Sequence, residues 1–180
     1  EPDEGGHLLY NNSAGVRIDG SNATIIGAKP GEFIADRNNI PRVWMDHGAW
    51  PLLTTLLYIH QSGDLGFLLK PQTYFRDIFT KRCKERDLSW TPEQGNKLLT
   101  QDGRTYEGSI LEHILLQNIE PFFNVGENGN MKLEGADWND GLDMAPECGE
   151  SVAFTAFYAS NLRELSELLP RLAQAPGGTD

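Results

Sequence analysis

The stretch AWPLLTTLLYIH, residues 49–60, decides the fold class. Its apolar and aromatic side chains recur at steps of three and four residues, as they do on one face of an α-helix. The members of this stripe are Trp50, Leu53, Leu56, Leu57 and His60. Pro51 suits the first turn of a helix, and the Ser-Gly-Asp turn at 62–64 ends the pattern. The sequence therefore predicts an amphipathic helix over residues 49–62.

The flanking sequence repeats this pattern, with long polar stretches in between. Apolar residues at helical spacing predict further helices over 72–86, 108–123 and 152–169. Residues 1–40 are rich in Gly and Asn and are interpreted as loop with short extended pieces, and residues 87–107 as a polar loop. Because few segments carry strand signals, the sequence favours an all-α architecture of helices separated by long loops.

Charge and composition argue against several classes of protein. The chain has 180 residues, with 15 Lys and Arg against 26 Asp and Glu, and its formal net charge of −11 disfavours nucleic-acid and anionic membrane partners. No apolar run approaches the roughly 20 residues that span a bilayer. Cys83 and Cys148 lack CxxC spacing, and the histidines are scattered. We therefore expect a cytoplasmic protein with reduced thiols and no metal site.

One loop concentrates polar chemistry around an indole. Within residues 137–143 lie Asp137, Trp138, Asn139, Asp140 and Asp143. An indole can stack on the apolar face of a pyranose while carboxylates and amides bond its hydroxyls, and an acid held near an aromatic wall can protonate a glycosidic oxygen. The same residues also suit a tight turn at 139–141, with Trp138 in the core. The residues alone leave both interpretations open.

Several motifs together resemble one enzyme family. Glu112-His113 on a predicted helix, GENG at 126–129 and GADWNDG at 135–141 look like the central catalytic stretch of the inverting β-glucan phosphorylases, the family that contains cellobiose phosphorylase. VWMDHGAWPL at 43–52 is similar to the stretch that precedes the same helix in those enzymes. The match covers most of residues 36–169. Asp46-His47-Gly48, which stands where cellobiose phosphorylase has two acids, favours a longer-chain oligoglucan phosphorylase.

The resemblance implies a fold, a reaction and a set of site residues. It implies a partial (α/α)6 toroid of paired helices that contributes to phosphorolysis of β-linked gluco-oligosaccharides with inversion, releasing α-glucose 1-phosphate. Asp140 is then the general acid, and Trp138 lines the donor glucose subsite. Asp137 and Asn139 fix the loop and the sugar hydroxyls, and Asp46 and His47 lie on the acceptor side. Inorganic phosphate is the co-substrate, and no further cofactor is implied.

The family also uses an Arg-Asp element upstream and phosphate contacts downstream, which this sequence does not match. We therefore expect residues 1–180 to form a single incomplete fragment of the catalytic domain that is inactive in isolation. A homodimer of the full-length protein stays open. Arg17 and Asp19 are expected to hold their loop together rather than to bind sugar.

Two alternatives to a phosphorylase stay open at this point. The first is an inverting glycoside hydrolase on the same toroid, which needs a second acid opposite Asp140. The candidates for that acid are Asp46, Glu112 and Asp143. The second alternative is a non-catalytic carbohydrate-binding domain. In that case Trp44, Trp50 and Trp138 are binding platforms or core residues.

Overall fold

The computed structural model describes residues 2–23, 25–27, 32–34, 43–135 and 147–175. The helices in these ranges are α1 (Pro2–Ser13), α2 (Met45–Ser62), α3 (Ile110–Ile119) and α4 (Val152–Ala173). The strands are β1 (Ile25–Ile26), β2 (Phe33–Ile34), β3 (Pro71–Thr73), β4 (Phe79–Thr80), β5 (Glu85–Arg86), β6 (Glu107–Ser109), β7 (Met131–Lys132) and β8 (Glu150–Ser151). Short 3-10 turns occupy Leu65–Leu69, Pro92–Gln94 and Glu120–Phe123. The strands pair antiparallel as β1–β2, β3–β6, β4–β5 and β7–β8.

The main core lies where α2 packs against α3 and α4. Its fully or almost fully buried members are Leu52, Leu56, Ile59, Phe67, Leu68, Ile110, Ile114, Leu165, Leu168 and Leu172. The Oγ atoms of Ser109 and Ser151 cap α3 and α4, accepting hydrogen bonds from the backbone N–H three residues on, each at 3.1 Å. Gly63 ends α2 at a φ of 73°, which favours glycine.

Polar groups also fix how these helices meet. The Asn161 side chain on α4 donates to the carbonyl of Ala49 at 3.1 Å and to Asn118 Oδ1 on α3 at 2.8 Å. Asn118 in turn donates to the carbonyl of Gly48 at 3.3 Å. A Cβ at Gly48 would lie 2.5 Å from the Tyr158 hydroxyl oxygen, so α2 can approach α4 this closely only with glycine at that position.

The expected all-α toroid of paired helices is wrong, because the described chain mixes helices with four small antiparallel sheets. The expected helix at 72–86 is replaced by β3, β4 and β5. Its apolar residues point inward from extended backbone: Phe75 pairs with Lys97, and the Phe79 N–H is held by Asp77 Oδ1 at 3.0 Å. Contacts between distant residues thus override the helical spacing.

The expected loop at residues 1–40 is also partly wrong, because α1 occupies its start. Gly5 and Gly6 argue against a helix locally, but α1 packs on α2, and a Cβ at Gly6 would lie 2.9 Å from the Tyr58 hydroxyl oxygen. Tertiary packing therefore stabilises a helix that propensity disfavours.

The other three helices follow the sequence more closely. The helices expected over 49–62, 108–123 and 152–169 are confirmed as α2, α3 with its following 3-10 turn, and α4. The buried stripe of α2 differs from the expected one, because Trp50 and Leu57 are exposed while Ala49 and Leu52 are buried. Gly48 and Ala49 are small, so this side of α2 can pack closely against the neighbouring helices.

The described residues add two observations on the chemistry of the chain. No helix among them is long and apolar enough to cross a membrane. Cys83 and Cys148 are both free thiols. Burial raises the pKa of the Cys83 thiol to about 11, which leaves it protonated at neutral pH.

Candidate functional site

The sequence-predicted site residues divide into two groups. Asp137, Trp138, Asn139 and Asp140 lie outside the described residues, as does Asp143. Asp46 and His47 are described and lie in the first turn of α2. The geometry of the candidate site is therefore defined by α2 and by the chain on either side of residues 136–146.

Two of the stretches that carry the family resemblance, VWMDHGAWPL and the start of GADWNDG, are hydrogen-bonded to each other. The Gly135 N–H donates to the carbonyl of Val43 at 2.7 Å, and Trp44 pairs antiparallel with Glu134. On the other side of residues 136–146, β7 pairs with β8, and the Leu133 N–H donates to the carbonyl of Gly149 at 2.9 Å. The start of α2 and both flanks of residues 136–146 thus form one connected unit.

Asp46 and His47 form a partly buried polar pair at this junction. The His47 Nε2 lies 4.0 Å from Asp46 Oδ1, and both side chains are about a quarter exposed, at 24% and 26%. The imidazole lies against the Trp44 indole, with 4.7 Å between ring centroids. Asp46 Oδ1 is buried and accepts no hydrogen bond from the described residues. That oxygen is enclosed by protein, so a ligand hydroxyl would reach it only after neighbouring side chains move, and the bond would then remove the cost of an unpaired buried acceptor.

A proline near the start of α2 leaves a backbone acceptor beside the pair. Pro51 has no N–H, so the carbonyl of His47, four residues earlier, lacks its usual helical donor. Gln117 on α3 takes the place of that donor, with its Nε2 3.4 Å from the His47 carbonyl oxygen. The same Nε2 donates to Asn22 Oδ1 at 2.8 Å. Gln117 therefore ties α2 to the loop that follows α1.

A buried ion pair that the sequence did not reveal holds the chain just before Gly135. Arg82 donates from Nη2 to Glu134 Oε2 at 2.6 Å and from Nε to Oε1 at 3.2 Å, with side-chain exposures of only 10% and 7%. Asn124 also donates to Glu134, at 2.9 Å. Burial is the largest single influence on Arg82 and lowers its pKa, but the hydrogen bond to Glu134 and the charges of Glu134 and other nearby groups together outweigh it, so the pKa is raised. Arg82 therefore remains charged.

The same region contains unusual backbone. Lys81, Arg82, Cys83 and Glu134 all have positive φ, between 51° and 62°. Such conformations are costly for residues with a Cβ and persist only where surrounding contacts enforce them. The ion pair joins two of these positions, and the Arg82 N–H also donates to Asp19 Oδ2 at 2.6 Å.

The loop around Arg17 is held as the sequence predicted. Arg17 makes a two-point contact with Asp77, at 3.0 and 2.7 Å, and also donates to Ser21 at 3.3 Å. Asp19 accepts from the Ser21 N–H at 3.0 Å. Arg17 and Arg82 are thus each bound to a carboxylate, and neither guanidinium is presented to a phosphate.

Glu112 and His113 stabilise a different part of the molecule. Glu112 Oε1 accepts from the hydroxyls of Tyr74 and Tyr106, at 2.7 and 3.1 Å. The His113 ring stacks on Tyr74 with centroids 3.8 Å apart, and its nitrogens lie 2.8 Å from the Ser109 carbonyl and 3.2 Å from the Thr73 carbonyl. These contacts attach α3 to the β3–β6 sheet. They give Glu112 a structural role and remove it from the candidate second acids.

The sequence signals for these residues differed in kind. Asp46 and His47 were found through the family resemblance, whereas Glu134 carried no signal of its own. Arg82 lies in the charged run KRCKER, residues 81–86, within the helix expected at 72–86. Comparison of the chain with protein-family models and with curated proteins finds no match to either.

Proposed function

We propose that residues 1–180 belong to an enzyme that phosphorolyses β-linked gluco-oligosaccharides with inversion and releases α-glucose 1-phosphate. The observation that carries this proposal is the hydrogen bonding between residues 43–44 and 134–135. It joins the stretch containing Asp46 and His47 to the chain that continues into Asp137, Trp138, Asn139 and Asp140. This pairing supports the proposal that the two stretches contribute to one site.

Each candidate residue has a defined role in this reaction. Asp140 donates its proton to the glycosidic oxygen as that bond breaks, and phosphate attacks the anomeric carbon from the opposite face. Phosphate is already an anionic nucleophile, so no second carboxylate is needed to activate water. Trp138 stacks on the donor glucose, and Asp137 and Asn139 position the loop and the hydroxyls.

The described residues support the remaining parts of the proposal. The Asp46 side chain is 26% exposed on the acceptor side of the site, and His47 lies beside it. Arg17 and Arg82 are bound to carboxylates, so we assign phosphate binding to neither of them. A cytoplasmic location belongs to the same proposal, in keeping with the free thiols of Cys83 and Cys148.

The observation at Asp46 also favours a second candidate, an inverting glycoside hydrolase. The Asp46 side chain is 26% exposed, and a carboxylate that meets solvent opposite the acid could activate water as a general base. Phosphate dependence separates the two reactions. The enzyme is incubated with β-linked gluco-oligosaccharides, with and without inorganic phosphate. We expect α-glucose 1-phosphate only when phosphate is present. Release of free glucose at an equal rate without phosphate would identify the hydrolase instead.

Asp140→Asn tests the acid assignment. An amide cannot supply the proton, so turnover should fall by about a hundredfold or more while oligosaccharide affinity changes little. Asp102→Asn is the matched control, because Asp102 is an exposed carboxylate paired with Arg104 at 2.7 Å, and it should leave turnover unchanged. Near-normal turnover in Asp140→Asn would remove the assignment.

A further inference from the structure

A cavity of about 310 Å³ lies between α1, α2 and α3, beside the candidate site. It is lined by residues of all three helices and of the loop after α1, among them Asn12, Asn22, His47, Trp50 and Gln117. Its volume is at the lower end of the roughly 300–1,000 Å³ typical of small-molecule pockets. It suits a ligand the size of one or two sugar rings rather than a long chain.

The lining chemistry selects a neutral ligand. The described lining residues include no Asp, Glu, Lys or Arg, although the whole chain carries a formal net charge of −11. Among the described lining residues a phosphate would meet no Lys or Arg, with His47 as the only titratable group, and a cationic ligand would meet no carboxylate. What the lining offers is apolar surface together with the amide groups of Asn12, Asn22 and Gln117. A pyranose combines an apolar ring face with hydroxyls, and it matches both.

An aromatic platform is available and is held in place. The Trp50 side chain is 51% exposed, and Phe157 supports it edge-on, with centroids 5.5 Å apart. An exposed indole fixed from behind can stack on a sugar ring at little cost in side-chain entropy. The Gln117 amide is likewise fixed, because it donates to both Asn22 and the His47 carbonyl.

His47 connects the cavity to the candidate site. It lines the cavity and also stands beside Asp46, and the small neighbouring pocket of Asn22, Trp44 and Arg82 shares it. We propose that this cavity is a subsite for a glucosyl unit on the acceptor side, with Trp50 as the stacking platform and the amide of Asn12 as a hydroxyl partner. The sugar identity rests on the proposed function, whereas the cavity and its uncharged lining do not.

The test measures binding and turnover in the enzyme that contains this chain. The probes are β-1,2-, β-1,3- and β-1,4-linked glucotrioses, titrated by calorimetry into the wild type and the variants. For the triose that binds, Trp50→Ala should weaken binding about tenfold and raise KM about as much while kcat changes little, and Trp50→Phe should restore most of the affinity. Leu57→Ala is the control, because Leu57 is 63% exposed on the same helix and does not line the cavity.

Asn12→Ala is a second probe that does not depend on the aromatic packing around Trp50. Asn12 is exposed near the end of α1, so its loss should weaken triose binding about threefold in a folded protein. Unchanged affinity in both folded variants would overturn the proposal, as would failure of the wild type to bind any of the three trioses.

The outcomes also separate this proposal from the proposed function. Triose binding that depends on Trp50, without formation of glucose 1-phosphate, would support the cavity subsite and overturn phosphorolysis. Phosphorolysis with a KM that Trp50→Ala does not alter would support the proposed function and overturn the cavity subsite.

Discussion

The helical core and the strand-bearing loops of this protein are stabilised by different chemistry. Where α2, α3 and α4 meet, the buried groups are leucines and isoleucines joined by neutral amides. In the loops, the buried groups include two ion pairs, Arg17–Asp77 and Arg82–Glu134. The strands there are two or three residues long, so their ladders are short, and side-chain contacts must hold the loops. The core thus rests on many contacts without direction, whereas each ion pair depends chiefly on one oppositely charged partner that is distant in sequence.

The largest effect should follow the loss of one member of the Arg82–Glu134 pair. Arg82→Met leaves Glu134 buried and without its main partner, which should lower the free energy of unfolding by about 3–5 kcal/mol. The double variant Arg82→Met/Glu134→Leu should recover much of this loss, because it removes the uncompensated charge. Urea unfolding of the single and double variants measures both effects. Equal losses in the single and double variants would mean that the charge is not the cause.

A core leucine should have a somewhat smaller effect, without such recovery. Leu52 is fully buried on α2, and Leu52→Ala should cost about 3 kcal/mol through lost transfer free energy and a residual cavity. Leu57→Ala on the exposed side of α2 serves as the control and should cost less than about 0.5 kcal/mol. Similar losses for the two variants in thermal unfolding would show that the buried side of α2 is misassigned.

The helix caps should contribute less than either type of buried contact. Ser109→Ala removes the acceptor for the Glu112 N–H, and Ser151→Ala removes the acceptor for the Phe154 N–H. Each should lower the free energy of unfolding by about 1 kcal/mol. Ser109→Asp is the conservative variant and should retain most of the stability. A loss above 3 kcal/mol at Ser109 would indicate that the β3–β6 sheet depends on this serine beyond its capping role.

The smallest effect should come from the residue next to Arg82. Lys81 pairs with Glu85 at 2.8 Å, but its side chain is 70% exposed, so water and salt screen the pair. Lys81→Ala should change the free energy of unfolding by less than about 0.5 kcal/mol at 0.15 M salt. A loss comparable with that of Arg82→Met would show that burial does not distinguish these neighbours.

Periodicity predicted the elements whose stability comes from burial of an apolar face. It located α2, α3 and α4, because their leucines and isoleucines recur at helical steps. It did not predict that Gln117, Asn118 and Asn161 would be buried on those helices, since a polar residue at a core position becomes favourable only when its partner is in place. It also predicted a helix over 72–86, which is wrong. Phe75 and Phe79 have helical spacing, but they lie on extended backbone and are buried there.

The candidate site was predictable to the extent that its motifs are local. The pattern around Asp46 and His47 predicts that the start of α2 belongs to a site, and this stays a prediction. The pairing of Val43 with Gly135 joins residues that are distant in sequence, and no local spacing encodes it. Arg82 and Glu134 depend on left-handed backbone at non-glycine positions, which sequence propensities argue against.

The buried amides of Asn118 and Asn161 determine which of several packings the helices adopt. Leucine contacts have no direction, so α4 could slide along α2 by one turn, about 5.4 Å, and still bury apolar surface. After such a slide, Asn161 would lose both the Ala49 carbonyl and Asn118, and each buried amide left without a partner costs about 1–3 kcal/mol. Misaligned states are therefore penalised selectively, and one alignment of α4 against the start of α2 is specified. Because Asp46 and His47 lie in that first turn, the amide pair also sets their position along α4.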